Sequence, residues 1–221
     1  MRADDAGNNL GSGGDFTANS APYTGARGGS EFWARSATVG SSNYFQINGP
    51  ISGVSDNKTG TCVIAFKQSS TATQDLFELQ GNYSGNRRQI FHVSYVPSSG
   101  SITVKSVRAS DASDTLDMRG SATFTTGSWN IIMICFDLSN AARRFVHSNG
   151  SNVTDNVFDF VDRDINYSTM ATTGGDGTRH TIGAKWAGSY SYATGDVSFL
   201  YFNNSYIDFS QESNRNLFID Q

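Results

Sequence analysis

Apolar and polar residues alternate along this chain in short bursts, four to nine residues at a time. Such bursts occupy 43–47, 61–67, 75–79, 89–96, 101–107, 121–124, 129–137, 143–148, 179–184 and 196–202. A period of two places every second side chain on one face, so each burst predicts a strand with one buried face. Between them stand Asn48-Gly49, Ser99-Gly100, Asn149-Gly150 and Asp176-Gly177. These pairs supply the positive φ that tight hairpin turns require. About ten strands without intervening helices predict an all-β chain, an antiparallel two-sheet jelly-roll sandwich. The exception lies at the end. There Ser210 is placed to cap 211–219, with Glu212 in the first turn, which predicts a short C-terminal helix. Residues 1–30 are rich in Gly, Asn, Ser and Asp and read as an irregular lead-in or arm, leaving 31–221 as a single domain.

One burst departs from alternation. Ile131, Ile132, Met133, Ile134, Cys135 and Phe136 are all apolar. A strand of this kind is covered on both faces, whereas a two-sheet sandwich buries only one. The second cover is a loop, the N-terminal arm or a neighbouring subunit; in the last case the chain would form an oligomer, such as a trimer.

Composition removes several function classes. Of 20 acidic residues, 17 are Asp and 3 are Glu, and the formal net charge is −4. Basic residues are spread singly, which leaves no electrostatic footprint for nucleic acid or an anionic membrane. No apolar run approaches the ~20 residues of a membrane span. The opening MRADDAGNNLGSGGDF lacks an apolar core, so a signal peptide is not expected in this sequence. Cys62 and Cys135 both lie inside apolar bursts and read as buried thiols. With three scattered histidines, a structural zinc site is unsupported.

From Gly127-Ser128-Trp129 the chain resembles a known family. GSWNIIMICFDLS followed by RRFVHSNG is similar to the strand-turn-strand signature of laminin-G-like, concanavalin A-like jelly rolls: a Gly-x-Trp strand, an Asp-led turn, and a return strand closing on an Asn-Gly hairpin. HTIGAKWAGSYSYATGDVSFLYF resembles the family's Ile-Gly segment, loop and Gly-Asp strand opening. SYIDFSQESNRNLFID and the early DDAGNNLGSGGDFT are similar to versions of this domain in bacteriophage virion and tail proteins. His147-Ser148 departs from the aromatic or aliphatic residue and Val or Asp usual there. The chain stops at Gln221, where phage relatives often continue. The resemblance implies a phage virion component in an extracellular or virion location, with other virion proteins as partners.

The same jelly roll houses glycoside hydrolases, which need two carboxylates on one strand face. Glu31, Glu78 and Glu212 are the chain's glutamates, and Asp75 lies three residues before Glu78. A regular strand points residues three apart to opposite faces, so no catalytic pair is expected and the chain reads as a non-enzyme. Glycan binding needs aromatic faces beside short polar groups. Residues 185–196, KWAGSYSYATGD, offer Trp186, Tyr190 and Tyr192 as ligand-binding candidates, unless Trp186 belongs to the core and the tyrosines cover a sheet edge. Some laminin-G-like domains bind Ca²⁺ at their rim, and Asp162, Asp164 and Asp176 are the corresponding metal candidates; ordinary surface solvation is the alternative. Six Asn-x-Ser/Thr sequons match the roughly four that composition alone produces, and carry no argument for glycosylation. The expected function is a non-enzymatic, lectin-like phage component for host-surface glycan adhesion or particle decoration. The alternatives are a glycan-binding module of a secreted bacterial protein or a polysaccharide hydrolase.

Overall fold

The computed structural model describes residues 17–19, 31–40, 43–48, 55–83, 86–107, 114–155, 159–167, 179–186 and 190–219. In chain order its strands are β1 (Thr17–Asn19), β2 (Glu31–Val39), β3 (Tyr44–Asn48), β4 (Thr59–Gln68), β5 (Gln74–Tyr83), β6 (Asn86–Val96), β7 (Ser101–Val107) and β8 (Asp114–Ser121). Then follow β9 (Asn130–Asp137), β10 (Arg144–Ser148), β11 (Ser151–Asn152), β12 (Asp159–Phe160), β13 (Arg179–Ile182), β14 (Ala184–Trp186), β15 (Tyr190–Tyr192) and β16 (Gly195–Asn203). A helix, α1 (Glu212–Ile219), ends the series. Eight strands form one sheet in the order β1-β3-β13-β5-β6-β7-β8-β12, and six form another, β11-β10-β9-β4-β16-β2. Every pairing is antiparallel, as the jelly-roll expectation requires.

The core lies between the two large sheets and follows the alternation. In β7, Ile102 and Val104 are buried while Thr103 and Lys105 turn outward. From the facing sheet come Ile64, Phe66, Ile132, Ile134, Phe136, Leu200 and Phe202. The Phe91 and Phe136 rings stack across the gap at 5.9 Å. Each such side chain contributes roughly 1.5–3 kcal/mol by leaving water.

Several local expectations are realised and others corrected. Asn149 and Gly150 have φ of 48° and 85°, the paired positive values of a tight hairpin between β10 and β11. Asp137 leads the preceding turn, its Oδ1 accepting the Ser139 amide at 3.0 Å. Gly49 and Asp176-Gly177 lie outside the described residues. The strand expected at 121–124 is instead β8, where Leu116 and Met118 face the core between outward Asp and Arg residues. Phe124 follows the strand and packs its ring on Tyr95, 4.6 Å away. Within the expected lead-in, Thr17–Asn19 pairs with β3 as a strand. Ser210 does not cap α1. Asp208 organises the entrance instead, with its Oδ1 accepting the Ser210 amide at 2.9 Å and its carbonyl accepting the Asn214 amide group at 2.9 Å.

The double-sided apolar strand is β9, and its second cover comes from the chain's own C-terminal segment. Ile132, Ile134 and Phe136 enter the central core. Met133 and Cys135 point the other way, into a second cluster with Val63, Phe199, Tyr201 and Phe209. Tyr206, Ile207 and Phe218 pack against that cluster from outside. The polar appearance of 203–216 hid this roof, and with it in place β9 no longer calls for a subunit neighbour. Cys62 and Cys135 sit on opposite faces of one sheet, since Thr61 rather than Cys62 is opposite Cys135. Both thiols are free and buried.

Candidate functional site

Register sets one row of positions across the whole eight-stranded sheet. Thr17, Gln46, Thr181, Glu78, His92, Lys105, Asp117 and Asp159 stand opposite one another in turn. Every member is polar or charged. Glu78, His92, Lys105 and Asp117 alternate along their strands with core residues such as Phe77, Leu79, Val93, Val104 and Leu116, so this part of the row belongs to the face turned away from the core. A second row beside it runs Asp75, Ser94, Thr103 and Arg119. Several members of this face are buried as well as polar: Glu78 is 1% exposed, His92 3% and Asp117 4%.

Buried polar groups need partners, and the two rows supply them. His92 Nε2–H donates to Asp75 Oδ1 at 2.9 Å, and the Ser191 hydroxyl donates to Asp75 Oδ2. Lys105 Nζ lies 3.1 Å from Asp117 Oδ2 and 3.9 Å from Asp114 Oδ2. Arg119 Nε donates to Asp117 Oδ1 at 3.4 Å. Burial pushes the Asp75 carboxyl up, but the His92 and Ser191 hydrogen bonds outweigh it and hold the group below the usual carboxylate range. Burial likewise pushes His92 down, more than its bond to Asp75 raises it. The pair is therefore an ionised carboxylate accepting from a neutral imidazole at neutral pH.

Asp75 and Glu78 do not point to opposite faces. The β5–β6 register shifts between Asp75 and Phe77, so that Asp75 is opposite Ser94 while Glu78 is opposite His92. Leu76 and Phe77 both enter the core at this bulge. An extra residue in a strand resets its alternation, which brings both carboxylates to the polar face.

The 184–192 segment is a hairpin rather than a loose loop. Lys185 pairs with Ser191, Trp186 with Tyr190 and Ala184 with Tyr192. Gly183 makes the corner at φ 78°, where a Cβ would come within 2.7 Å of the Val39 side chain, so glycine is required there. Its amide donates to the Leu76 carbonyl at 2.9 Å, which ties the hairpin to β5. Ser191 reaches Asp75 from β15, and the half-buried Tyr192 packs on Tyr44 with ring centroids 5.9 Å apart. Tyr192 is thus brought beside the polar rows; for Trp186 and Tyr190 the strand positions alone are described.

The calcium candidates are only partly described. Asp162 forms a 2.9 Å ion pair with Lys58, Asp164 is exposed, and Asp176 lies outside the described residues. Among the described residues no three His, Cys, Asp or Glu side chains gather as a metal would need. The polar rows themselves were missed from sequence. The signal lay in the outward members of β7, Thr103 and Lys105, but only register joins them to β5, β6 and β8.

No protein-family model and no curated protein matches the chain. Its fold recurs in solved structures of low sequence identity. The native heptameric SAP-like pentraxin from Limulus polyphemus superposes with a TM-score of 0.50 at 17% identity, over 80% of each chain. The Ruminococcus gnavus IT-sialidase CBM40 bound to α2,6-sialyllactose gives 0.51 at 17% identity, over 76% of this chain and 97% of that one. A leech intramolecular trans-sialidase gives 0.50 at 15% identity, over 76% of this chain but 26% of its own length. The chain shares the concanavalin A-like jelly roll of these proteins.

Proposed function

We propose that this chain is a non-enzymatic, lectin-like module that binds glycan on the polar face of its eight-stranded sheet. The observation that carries the reading is the polar row Thr181-Glu78-His92-Lys105-Asp117, flanked by the hairpin that bears Trp186, Tyr190 and Tyr192. The half-exposed Thr103 hydroxyl and Lys105 ammonium present donors and acceptors that sugar hydroxyls take, the buried groups beside them hold these in place, and aromatic rings present a surface for a sugar's apolar face. The Ruminococcus gnavus module, which shares this fold, is itself bound to sialyllactose. The runs resembling phage virion and tail proteins support a place on a phage particle, for host adhesion or decoration. Assembly with other virion proteins, and as a trimer, belongs to this reading and uses surfaces outside the C-terminal roof.

A polysaccharide hydrolase is the second reading, favoured by the shared face of Asp75 and Glu78. Against it, Asp75 and Glu78 are almost wholly buried, which keeps both carboxyls from a substrate. Incubation with host envelope polysaccharide separates the two. The lectin reading expects retention of the polymer without release of reducing ends; release of reducing ends overturns it.

A further inference from the structure

The outer face of the six-stranded sheet is divided. The C-terminal segment roofs Val63, Met133, Cys135, Phe199 and Tyr201, with Ala65 and Ile131 at the margin of that cluster. Past that margin runs a different row. Thr38 stands opposite Asp196, Asp196 opposite Lys67, and Trp129 immediately precedes β9, one step past the Phe66–Asn130 pair. The side chains are joined in the same order. Thr38 Oγ1 donates to Asp196 Oδ1 at 2.8 Å, Lys67 Nζ lies 2.6 Å from Asp196 Oδ2, and the same ammonium sits 5.2 Å from the centre of the Trp129 ring.

Trp129 is 45% exposed. Among the described residues the other large apolar side chains so exposed, Leu217 and Ile219, both lie on α1. The Trp129 indole is thus open to solvent beside a lysine and a carboxylate fixed by each other. Lys67 and Asp196 cancel in charge, so the row offers directed donors and acceptors without net attraction for an ion.

We infer that Trp129, Lys67, Asp196 and Thr38 form a second saccharide site, on the sheet opposite the polar rows, for a neutral pyranose. The sugar's apolar face stacks on the indole face that Lys67 leaves free, and hydroxyls at the sugar's edge bond to the Lys67 ammonium and the Asp196 carboxylate. Balanced charge selects neutral sugars over sialylated ones and makes binding insensitive to salt. The site stands independently of the proposed function of the polar rows.

The test uses the full chain labelled with ¹⁵N, in which three tryptophans give three indole signals. Trp129→Phe assigns the relevant one. Lactose, maltotriose, cellotriose and 3′-sialyllactose are titrated in turn. The inference expects saturable movement of the Trp129 signal with at least one neutral sugar, unchanged by added salt. Asp196→Asn should weaken that sugar by roughly tenfold while the Trp33 and Trp186 signals keep their positions. Absence of movement with all the neutral sugars overturns the site. So does unchanged affinity in Asp196→Asn, or tighter, salt-dependent binding of sialyllactose. Titration of the His92 ring in the same samples reports the polar rows separately.

Discussion

His92 donates its Nε2–H to Oδ1 of Asp75 at 2.9 Å, and both side chains are almost wholly buried on the outer face of the eight-stranded sheet. Asp75→Ala leaves the His92 donor and the Ser191 hydroxyl without their acceptor. The expected cost is roughly 1–3 kcal/mol, read by urea denaturation at pH 7.5. Loss of the Ser191 anchor should also loosen the 184–192 hairpin, visible as faster amide exchange in that segment.

The same pair sets an acid sensitivity of known sign. The folded His92 value lies below the ordinary 6.5, so its neutral form stabilises the fold fully above pH 6.5, and that contribution is lost as pH falls toward the folded value. The Asp75 value lies below 3.8, so its contribution is present above pH 3.8 and lost as pH falls through the lower folded value. His92→Gln should flatten the stability curve just below pH 6.5 and, by removing the imidazole that helps hold Asp75 low, should also shrink the part near pH 3.8.

A second histidine acts beneath the C-terminal roof. His147 is buried, with its Nδ1 3.4 Å from the Gly150 carbonyl and no partner at Nε2. Burial lowers its pKa, and the nearby Arg215 charge adds to that, against the Gly150 bond. Protonation below pH 6.5 therefore favours lifting of the roof. Amide exchange over 206–219 should accelerate more than in β4 or β9 as pH falls from 7 to 5. His147→Phe should remove that extra acceleration.

The roof itself is held by Phe209, which is fully buried and meets Phe218 edge-on at 5.7 Å. Phe209→Ala should cost about 3–5 kcal/mol in chemical denaturation. Met133→Lys places an unpaired charge under the same roof and should destabilise the chain strongly. A truncation after Asn203 should bind a hydrophobic dye, because Val63, Phe199 and Tyr201 lose their cover.

Much of this architecture was legible in the sequence, and the limits have physical causes. Alternation revealed β7 and β4, and the Asn149-Gly150 pair revealed its hairpin, because those signals are local. Strand β8 was missed because its outward Asp114, Asp117 and Arg119 outweigh two inward apolar residues. The shared face of Asp75 and Glu78 depends on a bulge, and a bulge has no local signature in DLFEL. The polar row needs the register of strands as distant in sequence as β3, β5 and β13. Tyr192 was a candidate from the make-up and spacing of residues 185–196, while its neighbours Tyr44 and Ser191 emerged only from packing.

Replacing both Tyr190 and Tyr192 with Ala should weaken glycan retention more than it lowers the melting temperature. Trp186→Ala is the companion variant. A glycan array read beside thermal melts separates binding from folding: lost retention with a retained melt assigns the hairpin to the ligand. Equal retention in a well-folded double variant removes it.

The most direct measurement is a glycan array on the parent chain beside Thr103→Val and Lys105→Ala, two half-exposed members of the polar rows whose loss leaves Asp117 paired with Arg119. The account expects the parent to retain at least one host-surface glycan. It expects each variant to bind that glycan roughly tenfold more weakly while melting within a few degrees of the parent. Variants that melt like the parent and bind the same glycan with unchanged strength would contradict the polar rows as the binding surface.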